Sequence, residues 1–145
     1  MAPFITLIFA FILLYTGGLL GWTYMAQWQH ALQGAVAAMF LLTASAHWGK
    51  RRPDLIRMVP MIFPRPDWIV TATGLLEIIG AVLLVIPFTS TAASISLAIM
   101  LLAMFPANIR ASREKLQLAG KEAMLIKART LIQIVFLLAV ILAGL

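Results

Sequence analysis

Four side chains on separate apolar stretches are of types that move protons or hold polar ligands: His47, Glu77, Asn108 and Gln133. Glu77 is the most demanding of them. It lies in "TATGLLEIIGAVLLVIP", Thr71 to Pro87, where no other residue is ionisable. Nine residues past Trp68, it sits about 13 Å along a helix rising ~1.5 Å per residue. An ionised carboxylate that deep in lipid costs roughly 3 kcal/mol or more. It either stays protonated or faces the bundle interior and meets donors. The expected resting state is neutral, with the carboxyl donating one hydrogen bond. Thr73, one turn earlier on the same face, and Tyr15, at similar depth on the first stretch, are the expected partners. Thr43 and Gln133 lie shallower but remain within consideration.

Imidazole titrates near neutral pH and relays protons. By helical rise His47 is about 12 Å shallower than Glu77, so direct contact requires a stagger between helices or a bridging water. Asn108, in "FPANI" (Phe105 to Ile109), lies at the depth of His47. Gln133 follows Arg129 by one turn and must point inward to be satisfied, while Arg129 is expected to snorkel to lipid phosphate. The candidates for ligand binding or proton handling are therefore Glu77, His47, Asn108, Gln133, Tyr15 and Thr73, converging on a pocket that opens inward. Each has a structural reading beside the functional one. Glu77 is then a hydrogen-bonded strut fixing helix register, His47 an interfacial side chain, and Asn108 a cap on a Pro106-kinked helix end. With two histidines and one acid outside the basic loops, no metal site is expected. The absence of cysteine excludes disulfides, thiolate ligands and Fe–S clusters.

The elements that must position these groups follow from composition. Apolar residues make up 63% of the 145 residues and charged residues 11%, against about 25% charged in a soluble domain. Most of the surface must therefore face lipid. A hydrocarbon core of about 30 Å needs about 20 helical residues to cross it. Five stretches qualify, at about 3–25, 31–48, 68–88, 90–109 and 128–145. The expected fold is one all-α domain over 1–145, a polytopic bundle of five transmembrane helices. The first stretch reads as a retained helix: no Lys or Arg precedes it, and its apolar run is too long for a signal peptide.

All eleven Lys and Arg fall in two loops, Lys50 to Arg65 and Arg110 to Arg129. Five crossings put both loops on one side, which the positive-inside rule makes cytoplasmic. The N-terminus is then inside and the C-terminus outside. The net charge of +6 is thus a topology signal, and no nucleic-acid partner is expected. Trp48 and Trp68 mark the inner boundary, and Trp22 and Trp28 the outer. In "RRPDLIRMVPMIFPRPD", Pro53 opens a short amphipathic helix and Pro60 closes it. That segment reads as an inner-leaflet connector or as a lid over the bundle. The loop Arg110 to Lys127 reads as a frayed helical extension broken at Gly120, or as a docking surface. Gly17 and Gly21, and Gly34 and Ala38, permit close helix approach within the bundle or in a homo-oligomer. Met39, Met58, Met61, Met100 and Met104 would suit an adaptable apolar ligand, or simple packing.

An ordered set of short motifs spans residues 31–140: Ser45-Ala46-His47-Trp48, Met58-Val59-Pro60, Pro64, Pro66, Gly74, Glu77-Ile78, Gly80-Ala81 and Phe105-Pro106-Ala107-Asn108-Ile109. With Arg129 and Gln133, this set resembles the DoxX-like membrane protein family. The resemblance implies a four-helix bundle in the bacterial inner membrane, to which the first helix is an addition. It also implies a link to thiosulfate–quinone oxidoreductase subunits and to redox accessory proteins. The expected role is an accessory subunit that holds a quinone-like or lipid ligand, or a membrane redox partner. A quinone is the only cofactor this suggests. Two other roles stay open: a membrane chaperone acting on a client protein, and a small proton-coupled transporter.

Overall fold

The computed structural model describes all residues, Met1–Leu145. Six helices run in chain order: α1 Ala2–Leu19, α2 Trp28–Ala46, α3 Arg52–Met58, α4 Pro66–Leu84, α5 Ser90–Arg113 and α6 Ile126–Gly144. A 3-10 turn at Thr23–Ala26 joins the first two, and a hairpin of β1 Gln117–Leu118 and β2 Lys121–Glu122 separates the last two. Local sequence explains the starts. Pro3, Pro53 and Pro66 sit in first turns, where a missing N–H is harmless. Asp54 and Asp67 meet the positive ends of α3 and α4, and Arg110 and Arg113 the negative end of α5.

Four helices are long and apolar enough to cross a membrane: α1, α4, α5 and α6. The outward side chains agree: Ile5, Phe9, Leu76, Ile99, Leu102 and Leu131 are all exposed. Such a surface is stable against hydrocarbon and unsuited to water. At 19 residues α2 is as long as α4, but less apolar than the other four. It carries Gln29, His30, Gln33, Thr43 and Ser45 among many alanines. It is also the helix that the others enclose, packing on α1, α4 and α6. Ala35, Val36, Met39 and Phe40 of α2 form the core with Leu84, Leu97 and Val140. Close approach to α1 is made at Gly34, where a Cβ would come within 2.6 Å of Leu14 Cδ1.

The two ends of the bundle are distinct. At one end Gln33 Nε2 donates to Ala143 O (2.9 Å) and Thr91 Oγ1 to Gly144 O (2.8 Å). At the other end the two basic loops meet. Arg110 donates to Val59 O, Arg57 Nη2 to Gln117 O (3.0 Å), and Ala119 N–H to Asp54 Oδ2 (2.8 Å).

Several boundaries differ from the sequence expectation. The first helix ends at Leu19 rather than near Met25. Gly21 takes φ +138°, and the returning chain passes so close to Gly18 that a Cβ there would overlap the Met25 and Ala26 backbone. The fourth long helix runs through Pro106 to Arg113, past the expected end at Ile109. The loop beyond it is a hairpin, not a frayed helix. Ala119 (φ 51°) and Gly120 (φ 74°) form its two-residue turn, with the left-handed geometry that matches strand twist. Alanine is strained there, and Asp54 compensates by accepting its N–H.

That contact pins α3 to the hairpin and carries a prediction. The Ala119 N–H and the Arg57 guanidinium hold the Asp54 carboxyl below its usual range. A depressed carboxylate stabilises above its unfolded pKa and loses that contribution as pH falls through the folded value. Hairpin docking is therefore expected to be constant from neutral pH down to about pH 4, the ordinary carboxylate value, and to weaken below it. Asp54→Asn is expected to lower the protection factor of the Ala119 amide in hydrogen exchange already at neutral pH. Equal protection in the variant would show that the carboxylate does not hold the hairpin.

Candidate functional site

Glu77 lies on the inner face of α4 and is 2% exposed; His47, just past the last turn of α2, is 3% exposed. They meet directly: His47 Nε2 is 3.4 Å from Glu77 Oε1. Sequence depth had separated them by about two helical turns. Gly74 supplies the reason. A Cβ there would come within 2.8 Å of His47 Cβ and Cγ and 2.9 Å of Trp48 Cη2, so the end of α2 lies flat on α4 at this glycine. The start of α4 at Pro66 extends eight residues, about 12 Å, beyond that crossing. The helices are staggered, and Glu77 is less than one turn from Gly74. Below the crossing, Arg52 ties the two helices together, with Nη1 on His47 O (2.7 Å) and Nη2 on Thr71 Oγ1 (2.9 Å).

Hydrogen-bond chemistry assigns the protons. His47 Nδ1 is 2.6 Å from Val70 O, and a carbonyl only accepts, so Nδ1 carries hydrogen. The contact of Nε2 with Glu77 is then attractive when one proton sits on either atom. Both forms, neutral pair and ion pair, have zero net charge. Thr43 Oγ1 lies 2.7 Å from Glu77 Oε2 and 2.9 Å from Phe40 O. It can donate to a carboxylate, or accept from a carboxylic acid while donating to Phe40 O. The surroundings therefore satisfy Glu77 in either protonation state.

The remaining candidates separate into two places. Thr73 lies beside His47 (3.4 Å from Nδ1) rather than bonding to Glu77. Tyr15 does not reach Glu77; it stacks on Phe11, centroids 5.9 Å apart, because α1 packs on the side of α2 away from α4. Asn108 does not meet His47 either. Its Nδ2 donates to Gln133 Oε1 (3.3 Å), and its Oδ1 accepts from Arg129 Nη1 (2.8 Å). Gln133 is buried as expected and donates to Leu101 O (2.5 Å). Arg129, expected to reach outward, turns inward to Asn108.

Sequence reasoning missed the cleft that lies between α4 and α5, with a volume of about 830 Å³. It falls in the range of small-molecule sites, roughly 300–1,000 Å³. Its cause is a helical stripe of small side chains on α5: Ala92, Ser96, Ala103 and Ala107. They leave space opposite Ile69, Thr73, Leu76 and Leu83 of α4, while Leu97 packs directly on Gly80. The stripe was legible at spacings of four, seven and four, but it reads as ordinary helix packing until a gap is seen. Leu55, Met58, Pro60 and Phe63 close the end next to α3, and Thr89 marks the other end. Lining residues Leu76, Ile79 and Ile99 are about half exposed, so the cleft opens sideways toward the medium around the helices.

The family model that matches is that of a domain of unknown function, DUF8561, over residues 36–143. The chain belongs to this family. No curated protein and no solved structure matches the chain. The DUF8561 region begins within α2 and ends within α6, so it holds His47, Glu77, Asn108, Gln133 and the whole cleft. Helix α1, with Tyr15, lies outside the DUF8561 match.

Within this DUF8561 site the cleft wall is nearly saturated. His47 donates to Val70 O, Thr73 to Ile69 O, Thr89 to Leu83 O and Ser96 to Ala92 O. Asn108 has a second amide hydrogen not used inside the protein. It is the wall's uncommitted side-chain donor, and it stands at the α3 end. Glu77 does not line the cleft; it lies one layer behind, reached through the His47 ring.

Proposed function

We propose that this is a DoxX-like membrane protein of five crossings that holds an elongated amphiphile, quinone-like or lipid, in the α4–α5 cleft. The apolar tail lies along the cleft, and a hydrogen-bond-accepting head meets Asn108 beside His47. The observation that carries this reading is the cleft itself: mostly apolar walls from Ile69 to Leu83 of α4, about 21 Å along the helix, with one free donor at one end. A quinone fits that shape, with a ring carbonyl on the Asn108 amide and the isoprenoid tail between the helices.

Helix α2 is the fifth crossing in this reading. It runs from Gln33, bonded near the end of α6, to His47 at the basic end. Its modest hydropathy follows from its position: enclosed by other helices, it has little lipid to face. The positive-inside rule places the basic end in the cytoplasm of a bacterial inner membrane, with the N-terminus inside and the C-terminus outside. The protein serves a membrane redox partner that carries the electrons. The His47–Glu77 pair holds a proton next to the ligand head.

Purified protein in mild detergent, titrated calorimetrically with a short-tailed quinone analogue, is expected to bind one equivalent saturably. Glu77→Gln is expected to keep that stoichiometry and flatten the pH dependence of binding. Absence of saturable binding, together with no co-purifying lipid in native mass spectrometry, would remove the ligand-holding role. An unchanged pH profile in the variant would remove the proton-holding role alone.

A further inference from the structure

Arg129 is a charge without a counter-ion. It stands in the first turns of α6, level with Asn108. Its Nη1 donates to Asn108 Oδ1, its Nε is buried with no partner, and its Nη2 makes no hydrogen bond within the chain. The ion pairs of the protein use Asp54, Glu77, Glu114 and Glu122, and none includes Arg129. A half-buried guanidinium left in this state is costly, and an anion would relieve it. A cavity of about 180 Å³ adjoins it, lined by Phe4, Asn108, Met124, Arg129, Gln133 and Phe136 among others. Asn108 faces both this cavity and the α4–α5 cleft, so its amide is the wall between them.

We infer that this second cavity is a binding site for the anionic oxygens of a phosphate group. The guanidinium has a planar fork of donors suited to phosphate, and only one of its nitrogens is engaged. The floor is apolar through Phe4, Ile132 and Phe136, which suits a phosphate carried on acyl chains. A free phosphate ion would use the same donors. The site is separate from the amphiphile cleft and stands whether or not that reading holds.

The protein, in non-ionic detergent, is titrated with phosphatidylglycerol, with phosphatidylcholine and with inorganic phosphate. Retained ligand is read by native mass spectrometry and protection by thermal unfolding. Phosphatidylglycerol is expected to bind more tightly than the zwitterionic lipid, and Arg129→Gln to weaken it about tenfold. Arg113→Gln, an exposed arginine at the same end, is expected to leave affinity unchanged. Ala103→Trp, which fills the other cavity, is expected to leave the Arg129-dependent part of the binding unchanged. Arg129-dependent protection by inorganic phosphate alone would assign the site to the free ion and still support it. Equal affinity of wild type and Arg129→Gln for both anionic probes would overturn it. Should Arg129→Gln not fold, hydrogen exchange on the wild type decides. Phosphatidylglycerol must then protect the starts of α1 and α6 more than phosphatidylcholine does, and equal protection overturns the site.

Discussion

Glu77→Ala is expected to destabilise the bundle by about 3 kcal/mol or more, and Glu77→Gln by less than about 1 kcal/mol. Alanine strips His47 Nε2 of its partner at 3.4 Å, leaves the Thr43 hydroxyl only its bond to Phe40 O, and opens a cavity where the carboxyl stood. Each orphaned buried polar group costs roughly 1–3 kcal/mol. Glutamine keeps both contacts, because its amide oxygen accepts from Thr43 and its NH2 donates to the free Nε2 of neutral His47. An apolar residue of similar size, Glu77→Met, fills the space but still strands His47 Nε2, so it is expected to fall between glutamine and alanine. Reversible unfolding in mixed detergent micelles measures all three. A double-mutant cycle of Glu77→Ala with His47→Ala should show coupling of more than about 1 kcal/mol, since the residues share one proton and one interface. Additive effects would mean that the 3.4 Å contact contributes nothing. An alanine variant as stable as wild type would mean that Glu77 is not buried among donors at all.

The sequence carried the helices well because their physics is local and one-dimensional. Apolar runs near twenty residues, prolines in first turns and the gathering of Lys and Arg into two stretches, 50–65 and 110–129, all read directly. It carried the partners of Glu77 poorly because they depend on how far one helix slides along the next. Helical rise measures depth only from a common origin, and α2 and α4 do not share one. Gly74 sets the offset, and its role shows only when His47 is found against it. Thr43, which the rise placed shallower, therefore bonds Glu77, while Tyr15 at nominally equal depth lies on the far side of α2. The hairpin was hidden for another reason. A turn of this geometry usually announces itself with Asn-Gly or Asp-Gly, and here Ala119 occupies the first position with support from Asp54, 65 residues away.

The cleft yields the other large effect. Ala103→Trp is expected to weaken binding of the quinone analogue at least about tenfold, while thermal stability stays level or rises. Ala103 lies on the small-residue stripe of α5 and faces the cleft. An indole there enters existing space of about 830 Å³ and buries apolar surface, worth roughly 25 cal/mol per Å². Were the helices in contact instead, the added bulk would force them apart at about 1–3 kcal/mol, the ordinary cost of overpacking. Stability and affinity thus answer separate questions. Leu102→Trp, one residue along and on the exposed surface, controls for a large aromatic on the same helix and should change neither. Loss of stability in Ala103→Trp would show that α4 and α5 close on each other in the membrane. Full binding in a stable variant would place the ligand elsewhere, and the argument from Asn108 would fail with it.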